Sequence, residues 1–137
     1  MEILKIKTIN RMVGDFGEKV AENFLKKKKF KIIKRNYVAV GHEIDIIAEN
    51  RDTQIFVEVK CREEKDNSNF PSRPAAAVNR KKQQAIIKAA SYYTSFNPSN
   101  KKKRFDVIEV YVKDFSGKLE AIDINHIEGA FTVSDAY

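Results

Sequence analysis

The sequence predicts an α/β domain in which one mixed β-sheet is flanked by helices. Apolar residues recur at helical spacing near the N-terminus and again in the second half of the chain. Between and after these segments lie short stretches in which apolar residues alternate with polar ones, as in half-buried strands. The predicted order is α-β-β-β-α-β-β, the pattern of an α/β sandwich. At 137 residues we expect one domain, 1–137, with its own core.

The first predicted helix covers about residues 10–28 and leaves residues 1–10 as an N-terminal arm. Lysines in its last turn suit the negative end of the helix dipole. The apolar residues that recur at helical spacing are Val13, Phe16, Gly17, Val20, Ala21 and Phe24.

Three strands are predicted to follow this helix. The segment FKIIKRNYVAV is the first, and Gly41 marks a turn after it. The segment HEIDIIAENRDTQIFVEVKCR, residues 42–62, supplies two more strands with ENRDT as the reversal between them.

The second half of the chain predicts a loop, a helix and two strands. Residues 63–74 are polar and contain proline, which is typical of a mobile loop. Pro74 opens a helix over about residues 75–93. RFDVIEVYV is apolar on both faces and is therefore expected near the middle of the sheet. DFSGKLEAIDI predicts a turn and a short strand, and NHIEGAF predicts a last helical turn.

The composition excludes several classes of protein. Hydrophobic residues make up 42% and charged residues 33% of the chain, which is typical of a globular domain. No apolar run approaches the roughly 20 residues of a membrane span, and the charged residues within MEILKIKTINRM predict that this segment is not a secretory signal. Cys61 is the one cysteine, so neither an internal disulfide nor a zinc ligand set is available. We therefore expect a cytoplasmic protein.

The charge predicts a polyanionic partner. There are 26 Lys and Arg against 19 Asp and Glu, so the net charge is +7, and the pI is near 9.4. Two clusters carry the excess, and either alone is also compatible with a solvated helix end or loop. Together they predict binding to nucleic acid through Lys27, Lys28, Lys29, Lys101, Lys102 and Lys103.

The predicted hairpin gathers charged side chains in the middle of the sheet. If Arg51-Asp52 forms a two-residue loop, counting outward places Asp45 opposite Glu58 and Glu43 opposite Lys60. Carboxylates this close repel one another unless a cation lies between them. Magnesium takes such hard oxygen ligands and completes its shell with water and phosphate. An exposed ladder of charged cross-strand pairs is the alternative interpretation.

At these residues the sequence resembles the PD-(D/E)XK nucleases, whose signature is matched by Asp45 followed by Glu58-Val59-Lys60. The wider pattern resembles the bacterial YraN-like (UPF0102) proteins and spans roughly residues 14–131. It implies a restriction-endonuclease-like fold similar to that of archaeal Holliday junction resolvases. The segments that carry it are GDFGEKVAENFL, RN, EIDIIA, FVEVKCR, AVNRKKQQ, AA, RFDVI and HIEGAF.

The resemblance implies a metal-dependent nuclease that acts on structured or branched DNA with Mg²⁺ or Mn²⁺. Asp45, Glu58 and the Val59 carbonyl then bind the metal, with Glu43 as an auxiliary ligand. Lys60 positions or activates the attacking water. Glu18, in GDFGE, matches the helix glutamate that joins the active site in the resolvase-like branch.

The same resemblance assigns roles outside the hairpin. Lys82 and Gln83 point to the substrate phosphate, and Arg62 of FVEVKCR joins the nucleic-acid-binding set. Asp106 is predicted to be structural, paired with Arg104 or capping a turn. Cys61 is predicted to be a core residue.

One position departs from the pattern, because His42 stands between Gly41 and EID where the family often has the glycine directly before EID. We expect His42 to be a polar turn residue. The resolvase likeness implies a homodimer, although the sequence identifies no apolar patch for one.

Two other functions compete with the nuclease. One is a nucleic-acid-binding module that keeps the fold without turnover. The other is a protein-interaction subunit whose basic face binds an acidic partner. The complete set of Asp45, Glu58 and Lys60 favours the nuclease over the binding module.

Overall fold

The structure is a computed structural model that describes residues 2–63 and 78–137, with side chains from residue 11 onward. The predicted order of elements is confirmed, and one short helix is added at the C-terminus. The elements are α1 (Glu2–Lys27), β1 (Lys31–Ala39), β2 (His42–Glu49), β3 (Thr53–Glu63), α2 (Arg80–Phe96), β4 (Lys102–Phe115), β5 (Lys118–Phe131) and α3 (Val133–Ala136).

The described strands form one mixed five-stranded sheet in the order β1-β2-β3-β4-β5. β3 and β4 are parallel, joined by the segment that contains α2, and the other neighbours are antiparallel. The two long helices lie on opposite faces, because α1 contributes Ala21 and Leu25 to one apolar cluster and α2 contributes Ile86 and Tyr93 to another. This is the α/β sandwich that the sequence predicted.

The first helix begins at Glu2 rather than near residue 10, so the predicted N-terminal arm is wrong. No proline or glycine precedes Gly14, and nothing in the sequence therefore interrupts the helix. It ends where Lys29 takes a left-handed conformation with φ 70°. The Phe30 N–H donates to the Leu25 carbonyl at 3.0 Å, which closes the helix end.

The second helix begins at Arg80 rather than near residue 75. Asn79 sets this start, because its side chain accepts a hydrogen bond from the Lys82 N–H at 2.8 Å. Pro74 and all but the first residue of the predicted 63–74 loop lie outside the described residues, and Glu63 itself ends β3.

The predicted helical turn at NHIEGAF is wrong, because these residues continue β5. The strand pairs with β4 from Phe115↔Lys118 to Phe105↔Phe131. Gly129, at φ 59°, donates its N–H to Asp106 Oδ1 at 2.9 Å. Pairing along almost the whole of β4 outweighs the weak local helix preference of a short segment.

No helix in the described part of the chain is long and apolar enough to cross a membrane.

Candidate metal and nucleic-acid site

The β2–β3 hairpin has the register that was counted from the sequence. The Asn50 N–H donates to the Thr53 carbonyl at 2.9 Å, and the ladder continues from Glu49↔Gln54 to Ile46↔Val57. It ends there, so Asp45 and Glu58 are the next residues just beyond the last pair. The predicted pairing of Glu43 with Lys60 is wrong, because the two strands have already separated.

The separation leaves a gap between β2 and β3, here called the wedge, which begins beyond the last pair, Ile46↔Val57. Asp45 lies at its narrow end. If the ladder continued, the Val59 N–H would donate to the carbonyl of Ile44, its counterpart by the same count. It donates instead to Asp45 Oδ2 at 2.8 Å. Because the N–H and C=O of one strand residue point to the same side, the Val59 carbonyl also faces the wedge.

Three carboxylates converge on one side of the wedge. Oxygen atoms of Glu18, Glu43 and Asp45 lie within 4.8 Å of one another. They come from α1 and β2, so the cluster exists only in the folded chain. Asn36 of β1 lies between Glu18 and Glu43, and its amide nitrogen, oriented to face them, donates to one oxygen of each at 2.8 Å.

Glu58 lies on β3 outside this cluster and is paired with two lysines. Its Oε1 atom is 2.7 Å from Lys82 Nζ of α2 and 3.7 Å from Lys60 Nζ. Glu58 is buried, with 7% exposure. These ammonium groups supply the positive charge that a buried carboxylate needs.

Burial and mutual repulsion shift the pKa values in the wedge. Burial, together with the charge of Glu58, raises the pKa of Asp45 to about 7. Burial and the neighbouring Glu43 raise the pKa of Glu18. Burial and the adjacent Lys82 lower the pKa of Lys60. Burial lowers the pKa of Lys82, but the hydrogen bond and charge of Glu58, together with Lys60 and the charge of Asp45, outweigh it and raise the pKa.

This donor set fits a hard divalent cation. The carboxylates are incompletely buried and retain lone pairs, and a cation among them relieves the repulsion that raises the pKa of Asp45. The predicted ligands Asp45, Val59 and Glu43 border the wedge directly. Both lysines contact Glu58 through Oε1, so Glu58 can bind the same ion through Oε2 without losing either contact.

The predicted phosphate contacts lie in different surroundings. Lys82 reaches the wedge, whereas Gln83 donates to the Val78 carbonyl at 2.9 Å and is thereby held at the start of α2. Arg62 follows Lys60 on the same face of β3, and its Nε lies 3.4 Å from Glu109 Oε2.

The lysine runs lie toward the opposite end of the sheet from the wedge. Lys102 pairs with Thr53, five residues before Glu58 on β3, which corresponds to roughly 16 Å along the strand. Several of these ammonium groups are occupied within the fold. Lys101 Nζ donates to the Asn50 carbonyl at 2.9 Å, and Lys103 Nζ donates to the Lys101 carbonyl at 2.7 Å.

The lysines at the end of α1 also differ in whether they have partners within the fold. Lys28 Nζ lies 2.9 Å from His126 Nδ1 and 3.7 Å from Glu128. Lys27 and Lys29 are exposed, and no ion pair or hydrogen bond of their side chains is found in the described part of the chain. These two are therefore better placed than Lys28 to meet a solvent-borne phosphate.

Asp106 is structural, as predicted. Arg104 donates to both of its oxygens, at 2.8 and 2.9 Å, and His126 Nε2 lies 2.8 Å from Oδ2. Burial alone raises the pKa of Asp106, but these hydrogen bonds and that of Gly129 outweigh it and lower the pKa.

Cys61 packs against α1 in the apolar cluster, as predicted for a core residue. Burial raises the pKa of its thiol to about 11, which keeps it protonated. His42 is the first residue of β2 after the turn.

Sequence reasoning missed two residues near the wedge. Asn36 was named from the sequence only as part of the RN motif. The β1–β2 register places it opposite Asp45, so it borders any site at that residue. Asn36 has a φ of 50°, in the left-handed region where asparagine is enriched, but the sequence alone does not show that this position adopts that conformation. Glu109 was hidden in RFDVIEVYV, where it interrupts an apolar strand.

Fold and site together define an α/β domain with a five-stranded mixed sheet and an acidic wedge between two diverging strands. The match to the family model of the uncharacterised protein family UPF0102 covers residues 17–110. The chain belongs to that family.

Curated relatives match almost end to end. A UPF0102 protein of Clostridioides difficile is 47% identical over 89% of this chain and 98% of its own length. One from Clostridium acetobutylicum is 40% identical over 91% of this chain and 98% of its own. Among solved structures, SfsA of Pyrococcus furiosus in complex with Ca²⁺ is similar with a TM-score of 0.40 and 17% identity, covering 84% of this chain and 63% of SfsA.

Proposed function

We propose that this protein is a metal-dependent nuclease that hydrolyses phosphodiester bonds in structured or branched DNA. The observation that carries the proposal is the wedge itself. Acidic groups from α1 and β2 meet a glutamate and two lysines at the point where the hairpin ladder ends. A ladder of exposed charged pairs does not need strand separation, partial burial or a pKa of about 7 for Asp45.

Asp45, Glu58 and the Val59 carbonyl are the proposed ligands for Mg²⁺ or Mn²⁺, with Glu43 and Glu18 on the same side of the wedge. A cation bound there neutralises charge on the scissile phosphate and lowers the pKa of a bound water. The remaining work falls to residues of the chain.

Lys60 and Lys82 are suited to the phosphate. Their lowered and raised pKa values give them different roles. Lys60 lies at the edge of the wedge and orients the attacking water, as a partly desolvated amine can. Lys82 Nζ lies 2.7 Å from Glu58 Oε1 and would stabilise the charge that develops on the phosphate oxygens.

The basic charge supports nucleic acid as the partner. Lys102 lies roughly 16 Å along the β3 direction from Glu58, about five base-pair rises of a duplex, so a backbone that enters the wedge can also reach this basic end of the sheet. Binding by backbone charge gives little sequence preference.

Cleavage of labelled linear, flapped and four-way DNA in Mg²⁺ or Mn²⁺ tests the proposal. Wild-type protein should cleave at least one substrate, and chelation of the metal should stop it. Asp45→Asn should be inactive. Glu49→Gln makes the same kind of charge change at the far end of β2, where Glu49 pairs with Lys101, and should remain active.

Binding without cleavage of any substrate would instead identify a nucleic-acid-binding module. Absence of both would favour a protein-interaction subunit.

A further inference from the structure

A fully buried carboxylate lies beside the wedge without belonging to it. Glu109 of β4 has 0% exposure. It pairs in the sheet with Lys60 of β3, and Arg62 pairs with Tyr111 two residues further along both strands. Paired residues share a face, so Glu58, Lys60 and Arg62 form one row on β3 and Glu109 lies next to that row.

Glu109 is held by two groups. The Tyr111 hydroxyl donates to Oε1 at 2.8 Å. Arg62 Nε lies 3.4 Å from Oε2, and the Arg62 side chain is 39% exposed. The carboxylate thus binds the inner side of the guanidinium group, while the exposed remainder of Arg62 extends to the surface near Lys60.

Burying a carboxylate is costly, and an apolar side chain of similar size at this position would avoid that cost. The neighbours Val107 and Tyr111 are buried as well, so the position is otherwise an ordinary core position of β4. A charge kept there needs a function other than stability, and the contact that it makes toward the surface is the one with Arg62.

We infer that Glu109 is a positioning residue, which fixes Arg62 so that its outer N–H groups bind a backbone phosphate next to the scissile one. The inference rests on the proposed function, because it names a second phosphate-binding position of the same site. A guanidinium fork held by one carboxylate presents its remaining donors in a fixed plane, which suits a phosphate.

Metal-free binding of a fluorescent DNA duplex, measured by anisotropy over a range of salt concentrations, tests this. Arg62→Ala should weaken binding and reduce the salt slope by about one phosphate. Glu109→Gln, which keeps the side-chain shape and the acceptor for Tyr111, should weaken binding roughly three- to tenfold. In the Arg62→Ala background, Glu109→Gln should cause no further loss.

The sign of the effect is decisive. Removing a negative charge near DNA should by itself tighten binding. Glu120→Gln is the matched change at an exposed position of β5, and we expect it to leave binding unchanged or to tighten it slightly. Glu109→Gln that binds as tightly as wild type, or more tightly, overturns the inference. Arg62→Lys provides a second test if Glu109→Gln does not fold, because it keeps the charge and loses the fork. Unchanged binding of Arg62→Lys would also overturn it.

Cleavage separates this inference from the proposed function. DNA binding with the expected coupling but no cleavage supports the role of Glu109 and contradicts the nuclease. Cleavage by both wild type and Glu109→Gln at equal affinity contradicts only the role of Glu109. If the wild-type protein does not bind duplex DNA at low salt, both fail.

Discussion

The position of α1 over β3 depends on one glycine, and replacing it should disturb both stability and the wedge. A Cβ atom at Gly17 would lie 2.6 Å from Cys61 Cβ and 2.7 Å from its Sγ. Carbon atoms in contact normally lie about 3.5–4.0 Å apart, so the two elements must separate by roughly 1 Å. Rotation of the thiol does not relieve the clash, because Cβ is fixed to the backbone.

Gly17→Ala should therefore destabilise the protein by about 1–2 kcal/mol. Overpacking of this kind costs about 1–3 kcal/mol, and alanine returns up to about 1 kcal/mol through its higher helix propensity. Gly14→Ala on the same helix is the matched control, since a Cβ there meets no atom of the described chain within 4 Å. It should stabilise by up to about 1 kcal/mol.

Urea unfolding with linear extrapolation measures both changes. Cys61→Gly removes the Cβ that clashes, so the double variant with Gly17→Ala should lose less stability than the sum of the single variants. Glu18 directly follows Gly17, so Gly17→Ala should also weaken metal binding. Gly17→Ala as stable as wild type would refute this account of how α1 is seated.

Three further predictions concern charged groups. Asp45 keeps its proton up to about pH 7 in the folded protein, whereas the unfolded chain loses it near pH 4. The free energy of unfolding of the wild type therefore decreases as the pH rises from about 4 to about 7. Asp45→Asn should therefore be about 2–4 kcal/mol more stable than wild type at pH 8 and equal to it near pH 4, as thermal unfolding at both pH values can show. Asp106→Asn should cost about 3–5 kcal/mol in urea unfolding, because the buried side chain loses its charge and one of the two oxygens that bind Arg104 and His126. The double variant Lys27→Ala/Lys29→Ala should weaken duplex binding and lower its salt slope by up to about two, in anisotropy titrations with salt.

Each of these has a contradicting result. The Asp45 argument fails if the stability difference between Asp45→Asn and wild type is independent of pH. An unchanged midpoint for Asp106→Asn would mean that its network is not stabilising. A salt slope unaffected by loss of Lys27 and Lys29 would place the DNA elsewhere.

The hairpin could be predicted from the sequence because its turn and its alternation of residues are local features. A two-residue turn and strict alternation fix the register, and the register alone brings Asp45 next to Glu58. The end of the ladder was not predictable, since strand separation depends on how Asp45 replaces a backbone acceptor for Val59. The count beyond that point therefore gave a wrong partner for Lys60.

Contacts between distant segments account for the other differences. NHIEGAF is the last part of β5, and its pairing with β4, some twenty residues away in the sequence, determines that it is a strand. The occupation of Lys101 and Lys103 by backbone carbonyls likewise arises only after folding. A run of lysines in a sequence shows charge but not which ammonium groups stay available.

Titration calorimetry with Mg²⁺ and Mn²⁺ tests the central claim, that the wedge is a metal site, most directly. Wild-type protein and Glu49→Gln should bind metal alike, whereas Glu58→Gln should bind it more weakly, because a neutral amide is a poorer ligand for a hard cation. Glu58→Gln should remain folded, since the amide keeps the size of the side chain. No metal binding by wild type would contradict the claim, and equal binding by wild type and Glu58→Gln would rule out Glu58 as a ligand.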